Sequence, residues 1–191
     1  MNPQAVNLPN ILSFIRILSV PVLIYLAWEG NEKSFFYLLI FAALTDALDG
    51  FIARTWNMKT QLGAKLDSTA DFLLYIAAIY GIFSLKLDEF GSWSIFFYLL
   101  VFFMIFPDVY ALIRFGKISS LHLYSWKIGA VLLTLFVFWL FYEGFELLLF
   151  VPVVLWMGLA FLENMIIQIM SPVPLTNAKS LYHFMKNKNH Q

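Results

Sequence analysis

Apolar runs of about twenty residues, each closed by a short polar connection, repeat along nearly the whole chain. They fall at Ile11–Trp28, Ser34–Arg54, Leu62–Leu85, Trp93–Arg114, Ser125–Tyr142 and Leu147–Met170. A helix needs about 20 mainly apolar residues to cross the hydrocarbon core, and there it satisfies its own backbone hydrogen bonds. The pattern therefore predicts an all-α, polytopic integral membrane protein of six transmembrane helices, a single domain over residues 1–191 with 171–191 as a cytoplasmic tail. Six spans place both termini on one side. The run Ile11–Trp28 has neither a basic leader nor a small-residue cleavage site, so it reads as a retained span and not a signal peptide.

Composition agrees: of 191 residues 61% are hydrophobic, 19% aromatic and 13% charged, with a mean hydropathy of +0.79. No stretch remains for a separate soluble domain. A formal net charge of zero argues against nucleic acid as a partner, because phosphate binding needs an excess of Lys and Arg. With no cysteine, disulfides, thiolate metal sites and thiol catalysis are excluded. Arg16, Arg54, Lys59, Lys65, Arg114, Lys117, Lys127, Lys179, Lys186 and Lys188 fall on the side of the termini, and only Lys33 and Lys86 fall opposite. Because Lys and Arg are retained in the cytoplasm, the termini and the 55–61 and 115–124 connections are expected to be cytoplasmic; the expected location is a bacterial inner membrane. The tail after Pro172-x-Pro174 turns basic over 177–187 and suits a short segment near anionic lipid headgroups, or a disordered one.

Against this apolar background four aspartates stand close together. On the second helix Asp46 and Asp49 are spaced i, i+3, with Gly50 and Arg54 following; on the third, Gly63, Asp67 and Asp71 lie at i, i+4, i+8 along one stripe. The short 55–61 connection makes the two helices antiparallel neighbours and can bring the pairs together at the cytoplasmic end. Arg54 and Lys65 are too few to balance four carboxylates, whereas a divalent cation would. All-oxygen ligation without Cys or His suits Mg²⁺, Mn²⁺ or Ca²⁺, and four carboxylates can hold one ion or two. Gly50, Ala53, Gly63 and Ala64 then open space beside the ion for a bulky phosphate-bearing ligand. A purely structural reading pairs the acids with Arg and Lys, or leaves them facing loop water, and uses the small residues only to pack helices. It leaves the cost of four acids near the membrane largely unexplained. A divalent-cation transporter or channel is the other functional reading, though transport favours acids near mid-membrane and these lie toward one end.

Taken together the residues read Asp46-x2-Asp49-Gly50-x2-Ala53-Arg54-x8-Gly63-x3-Asp67-x3-Asp71. This pattern resembles the signature of the CDP-alcohol phosphatidyltransferases, the membrane phospholipid synthases of the phosphatidylglycerophosphate, phosphatidylinositol-phosphate and phosphatidylserine synthase type. Pro9-Asn10-Ile11-Leu12-Ser13 with Arg16 and Pro21 is similar, more loosely, to the N-terminal segment of bacterial members. The resemblance implies transfer of a substituted phosphate from a CDP-alcohol, usually CDP-diacylglycerol, to the hydroxyl of a small polar acceptor such as glycerol 3-phosphate or inositol phosphate, with release of CMP. It implies Mg²⁺ or Mn²⁺ as cofactor and a homodimer. Carried over by position, Asp46, Asp49 and Asp67 would be metal ligands, and Asp71 would complete a two-metal site and serve as general base. Gly50, Ala53, Arg54 and Gly63 would line the cytidine and diphosphate pocket. As the last acid in its stripe, one turn beyond Asp67, Asp71 is the carboxylate least committed to metal and so the plausible base.

For the acceptor, Arg114, Lys117 and Lys127 are candidate phosphate ligands, against a competing reading as ordinary cytoplasmic loop charge. His122 reads as a bystander. Asp108 is expected to pair with or orient Arg114. Arg16, one turn inside the first span, either reaches a diphosphate or snorkels to headgroups. Glu163 and Asn164 in the last span have no evident partner and suggest a helix contact or dimer interface. Phe96-Phe97 and Phe102-Phe103 read as lipid-facing or packing surface.

Overall fold

The computed structural model describes residues 7–56, 60–117, 121, 123–175 and 178–188, with the backbone alone for residues 53, 54, 187 and 188. The expected spans all form: α1 (Leu8–Trp28), α2 (Glu32–Thr55), α3 (Gln61–Leu85), α4 (Ser94–Phe115), α5 (Tyr124–Tyr142) and α6 (Leu147–Met170), followed by a short α7 (Leu181–Lys188). There is no strand among the described residues. The six long helices have 19 to 25 residues, so at 1.5 Å per residue each reaches about 28 Å or more, enough to cross a bilayer. The protein is an integral membrane protein. It divides into two compact units, Met1–Asp88 and Glu89–Gln191.

In the first unit α1 is the middle helix: it packs against both α2 and α3, which touch each other far less. The reason lies in the buried positions of α1, which recur at Asn10, Ser13, Arg16, Ser19–Val20, Leu23 and Ala27. That three-to-four-residue period puts one stripe of small, polar and aliphatic groups on a single face. Opposite it α2 buries Phe35, Leu39, Ala42, Thr45 and Asp49, and α3 buries Ala70, Ala77 and Gly81. Small residues matter here because lipid tails are as apolar as leucine, so helices in a membrane associate through close packing. The Phe35 ring lies flat against Gly81, in space that a Cβ would need. Helix starts are capped by side chains: Asn7 accepts from Asn10 N at 3.0 Å, Asn31 from Ser34 N at 3.2 Å and Thr60 from Gly63 N at 2.9 Å. At the end of the unit formed by the start of α2 and the end of α3, buried Lys86 pairs with Glu32 at 2.5 Å.

In the second unit α6 is central, packed against α4, α5 and α7. A cluster of rings centred on buried Phe90 joins Phe97, Phe136, Phe145 and Phe150, with centroids 4.5 to 6.3 Å apart. Phe103 stacks on Phe161 at 4.8 Å, so this part of the Phe-rich run is packing surface. Several polar side chains of these spans find partners within the unit. Gln168 Nε2 donates to Asn164 Oδ1 at 2.7 Å and to the Pro107 carbonyl at 3.2 Å. Glu163 accepts from the Ser125 hydroxyl and, at 2.8 Å, from the backbone N–H of Leu181. Glu163 and Asn164 thus find their partners inside the chain. Tyr124 N also donates to the Lys179 carbonyl at 3.0 Å, so the segment before α7 is tied to the start of α5. The tail therefore holds an ordered helix where the sequence left surface segment and disorder open.

These contacts set an expectation for the glycines. Gly81→Leu should lower stability by about 1–3 kcal/mol, because the Phe35 ring has to leave its place. Gly158→Ala should be nearly neutral, since its new Cβ would lie 3.4 Å from the Phe103 ring, an ordinary contact. Thermal denaturation of the two purified variants in detergent measures the difference, and equal melting temperatures would refute it.

Candidate active site

All four aspartates of the motif converge, and they do so around a residue from a third helix. Asp46 and Asp49 lie six to nine residues before the end of α2, and Asp67 and Asp71 lie within the first eleven of α3. Helical periodicity turns both pairs toward α1. There Arg16, with no exposed surface, extends its guanidinium between them. Its Nη1 lies 3.1 Å from Asp46 Oδ1, 3.3 Å from Asp67 Oδ1 and 2.6 Å from Asp71 Oδ1, and its Nη2 is paired with Asp49 Oδ2. One turn earlier on α1, Ser13 Oγ donates to the same Asp49 oxygen at 3.0 Å. Snorkelling of Arg16 to the headgroups is thereby ruled out: the side chain points inward and is fully enclosed.

The acids are not equivalent. Asp49 continues the buried stripe of α2, and its side chain is only 4% exposed, whereas those of Asp46, Asp67 and Asp71 are 48%, 44% and 40% exposed. One carboxylate is fixed from behind and three open outward. A buried carboxylate is costly unless paired and hydrogen-bonded, and Arg16 with Ser13 meets that requirement for Asp49. A single guanidinium against four carboxylates still leaves the cluster negative when all are ionised.

The donor set fits a hard divalent ion. One carboxylate oxygen each from Asp46, Asp49 and Asp67 lie within 4.8 Å of one another, close enough to be drawn onto one centre. All are oxygens, as Mg²⁺ and Mn²⁺ prefer. Asp71 stands beside this trio and shares the same Nη1.

The small residues of the motif divide. A Cβ on Gly63 would fall 2.5 Å from Asn10 Oδ1 and 2.9 Å from Thr60 Oγ1, so the missing side chain admits Asn10 of α1 to the first turn of α3. Gly50 is half-buried on α2 directly after Asp49. The side chains of Ala53 and Arg54, and all of His122, lie outside the described residues. The three candidate acceptor cations belong to the second unit. Arg114 Nη1 donates to Tyr110 Oη at 2.7 Å and to the carbonyls of Gln168 and Ile169 at 3.0 and 3.1 Å, and Nη2 donates to the Ser171 carbonyl at 3.3 Å. It thus satisfies carbonyls that α6 leaves open at its C-terminus; its donors do not go to Asp108, which corrects the expected pairing. Lys117 is exposed just past the left-handed cap Gly116, and Lys127 Nζ sits 5.7 Å from the Tyr124 ring centre.

Sequence reasoning missed the position of Arg16, and with it Ser13 and Asn10. A signal was present: a lone Arg in an apolar span, flanked at three-residue spacing by Ser13 and Ser19, marks a polar stripe that lipid would not accept.

Comparison with known proteins points the same way. The family model described as CDP-alcohol phosphatidyltransferase matches residues 6–163, a range that holds Asn10, Ser13, Arg16 and the whole aspartate pattern. A CDP-diacylglycerol–glycerol-3-phosphate 3-phosphatidyltransferase of Aquifex aeolicus is 41% identical over 80 residues, covering 41% of this chain and 45% of the relative. One from Salmonella choleraesuis is 36% identical over 92 residues, covering 46% and 47%. A cardiolipin synthase (CMP-forming) of Rattus norvegicus is 46% identical over 79 residues, covering 39% of this chain and 26% of its own. The chain thus spans less than half the length of these relatives. No solved structure matches it. With the family model matched over most of the chain and its aspartates gathered at one site, the protein belongs to the CDP-alcohol phosphatidyltransferase family.

Proposed function

We propose that this protein transfers the phosphatidyl group of CDP-diacylglycerol to the hydroxyl of a small polar acceptor and releases CMP, in phospholipid synthesis. Glycerol 3-phosphate is the first acceptor to test, because it stands in the names of the Aquifex and Salmonella relatives. The observation that carries the reading is the convergence, in a membrane protein, of three carboxylate oxygens within 4.8 Å with a fourth carboxylate beside them. A lipid donor suits the location, since its acyl chains can stay in the bilayer while its diphosphate meets the acids. The excess of Lys and Arg on the side of the termini supports a cytoplasmic site in a bacterial inner membrane. A homodimer is part of the same proposal.

Asp46, Asp49 and Asp67, with Asp71 at the edge, would hold Mg²⁺ or Mn²⁺. When bound, the metal supplies charge neutralisation for the diphosphate and for the oxygen that leaves with CMP. The acceptor oxygen bonds to the phosphorus that carries diacylglycerol, and the bond from that phosphorus to the bridging oxygen breaks. Asp71, 40% exposed, takes the acceptor's proton. Asp49, held by Ser13 and Arg16, keeps the first pair of acids in register. Gly50, Ala53, Arg54 and Gly63 are assigned to the nucleotide side of the site, and Arg114, Lys117 and Lys127 to the acceptor's phosphate. Of these three, Arg114 already holds the end of α6, which leaves the lysines as the freer cations.

Purified protein given CDP-diacylglycerol, Mg²⁺ or Mn²⁺, and a panel of glycerol 3-phosphate, inositol phosphate, inositol, serine and choline should release CMP and form lipid product with one of them. Silence across all acceptors and both metals would refute the enzyme and favour cation transport. Asp71→Asn should cut turnover by about 100-fold or more, the usual share of a general base, while metal-dependent binding of CDP-diacylglycerol persists. Loss of that binding would move Asp71 among the essential metal ligands.

With the acceptor identified, Lys127→Ala should raise its KM about tenfold, the size of one charged hydrogen bond, and leave the donor KM nearly unchanged. Equal effects on both would exclude Lys127 from acceptor binding.

A further inference from the structure

We propose that Arg16 is a resident counter-cation of the acidic site: it holds the four carboxylates together before metal arrives, and it limits divalent-ion affinity by competing for the same oxygens. The inference rests on reading the aspartates as a metal cradle. The three residues whose oxygens converge within 4.8 Å, Asp46, Asp49 and Asp67, are each bound to this one guanidinium, as is Asp71. An ordinary structural ion pair engages one or two carboxylates. Here a single side chain serves all four, from a helix that contributes no acid of its own to the cluster.

Two further details fit a cation that can yield. Arg16 Nε is buried without a hydrogen-bond partner, so the guanidinium is held by the acids in front of it and by no acceptor at its stem. Buried polar atoms left unpaired are uncommon in folded proteins, and here, among the described residues, every hydrogen bond or ion pair of the guanidinium runs through its two Nη atoms to the acids. Its partners are also mostly outward-facing: three of the four carboxylates are 40% exposed or more, so an ion can approach them from the side away from α1. Because Arg stays charged at any ordinary pH, it repels an incoming divalent ion throughout. Four carboxylates without it would repel one another instead, and the metal-free site would open.

The full-length protein in detergent, stripped of metal, tests both halves. Mn²⁺ binding is followed by loss of the free-ion electron paramagnetic resonance signal, and the melting temperature is taken with and without Mn²⁺. Arg16→Gln should bind Mn²⁺ about tenfold more tightly or better, as loss of a neighbouring like charge predicts, and should melt lower than wild type without metal while gaining more from it. Arg16→Lys, which keeps the charge but not the two-nitrogen fork, should bind Mn²⁺ close to wild type. It covers the case in which Arg16→Gln folds only with metal, for then tightening must appear as a lower Mn²⁺ midpoint for refolding than in Arg16→Lys. If wild type binds Mn²⁺ and Arg16→Gln binds it equally or more weakly, Arg16 is not a competitor and the inference fails with the metal cradle intact. If no folded form binds Mn²⁺, the cradle reading itself fails.

Discussion

Four carboxylates held on two neighbouring helices repel one another, and in the first unit that repulsion is met by one guanidinium delivered from a third helix. Much of the local architecture follows from this arrangement. Arg16 reaches Asp49 and Asp71 at once only if α1 lies against both α2 and α3. Such an approach needs thin surfaces, which the Ser13, Ser19 and Ala27 stripe of α1 and the Ala70, Ala77 and Gly81 stripe of α3 provide. Gly63 extends the same logic to the helix end, where only hydrogen at Cα leaves room for Asn10. The far end of the unit carries a simpler version, with Lys86 closed on Glu32.

The distribution of exposure within the cluster fits a division between holding and reacting. Asp49, enclosed by Ser13 and Arg16 and shielded from solvent, cannot turn without breaking its hydrogen bonds. Asp46, Asp67 and Asp71 keep about half their side-chain surface and can accept new partners. A site built this way rests on helices and not on loops, so the positions of its oxygens are set by packing far from the chemistry.

The spans were legible because the membrane imposes both length and composition. Leu147–Met170 matches residue for residue, and Ser34–Arg54 grows only to Glu32–Thr55, where the Asn31 cap and the polar loop settle the ends. The aspartate cluster was legible because i, i+3 and i+4 spacing alone puts carboxylates on shared faces. Spacing within a helix says nothing about which third helix covers that face, so the central place of α1 was not readable, and the polar stripe around Arg16 could show only that the side chain turns inward, not which acids it meets. Arg114 was read as a candidate phosphate ligand, with loop charge as the competing reading, because three of its partners are backbone carbonyls more than fifty residues away, and backbone groups leave no mark in side-chain pattern. The eight-residue α7 is too short to announce itself by periodicity.

Glu163 ties the last span to the tail beyond it. Its carboxylate accepts from Ser125, made earlier, and from the Leu181 N–H, made eighteen residues later. During synthesis α6 therefore leaves the ribosome with an acid whose hydrogen bonding is incomplete. The stretch containing Leu181 has to emerge and fold back before that acid is fully satisfied. The hydrogen bonding of this acid is thus complete only when the tail beyond the final long helix is in place.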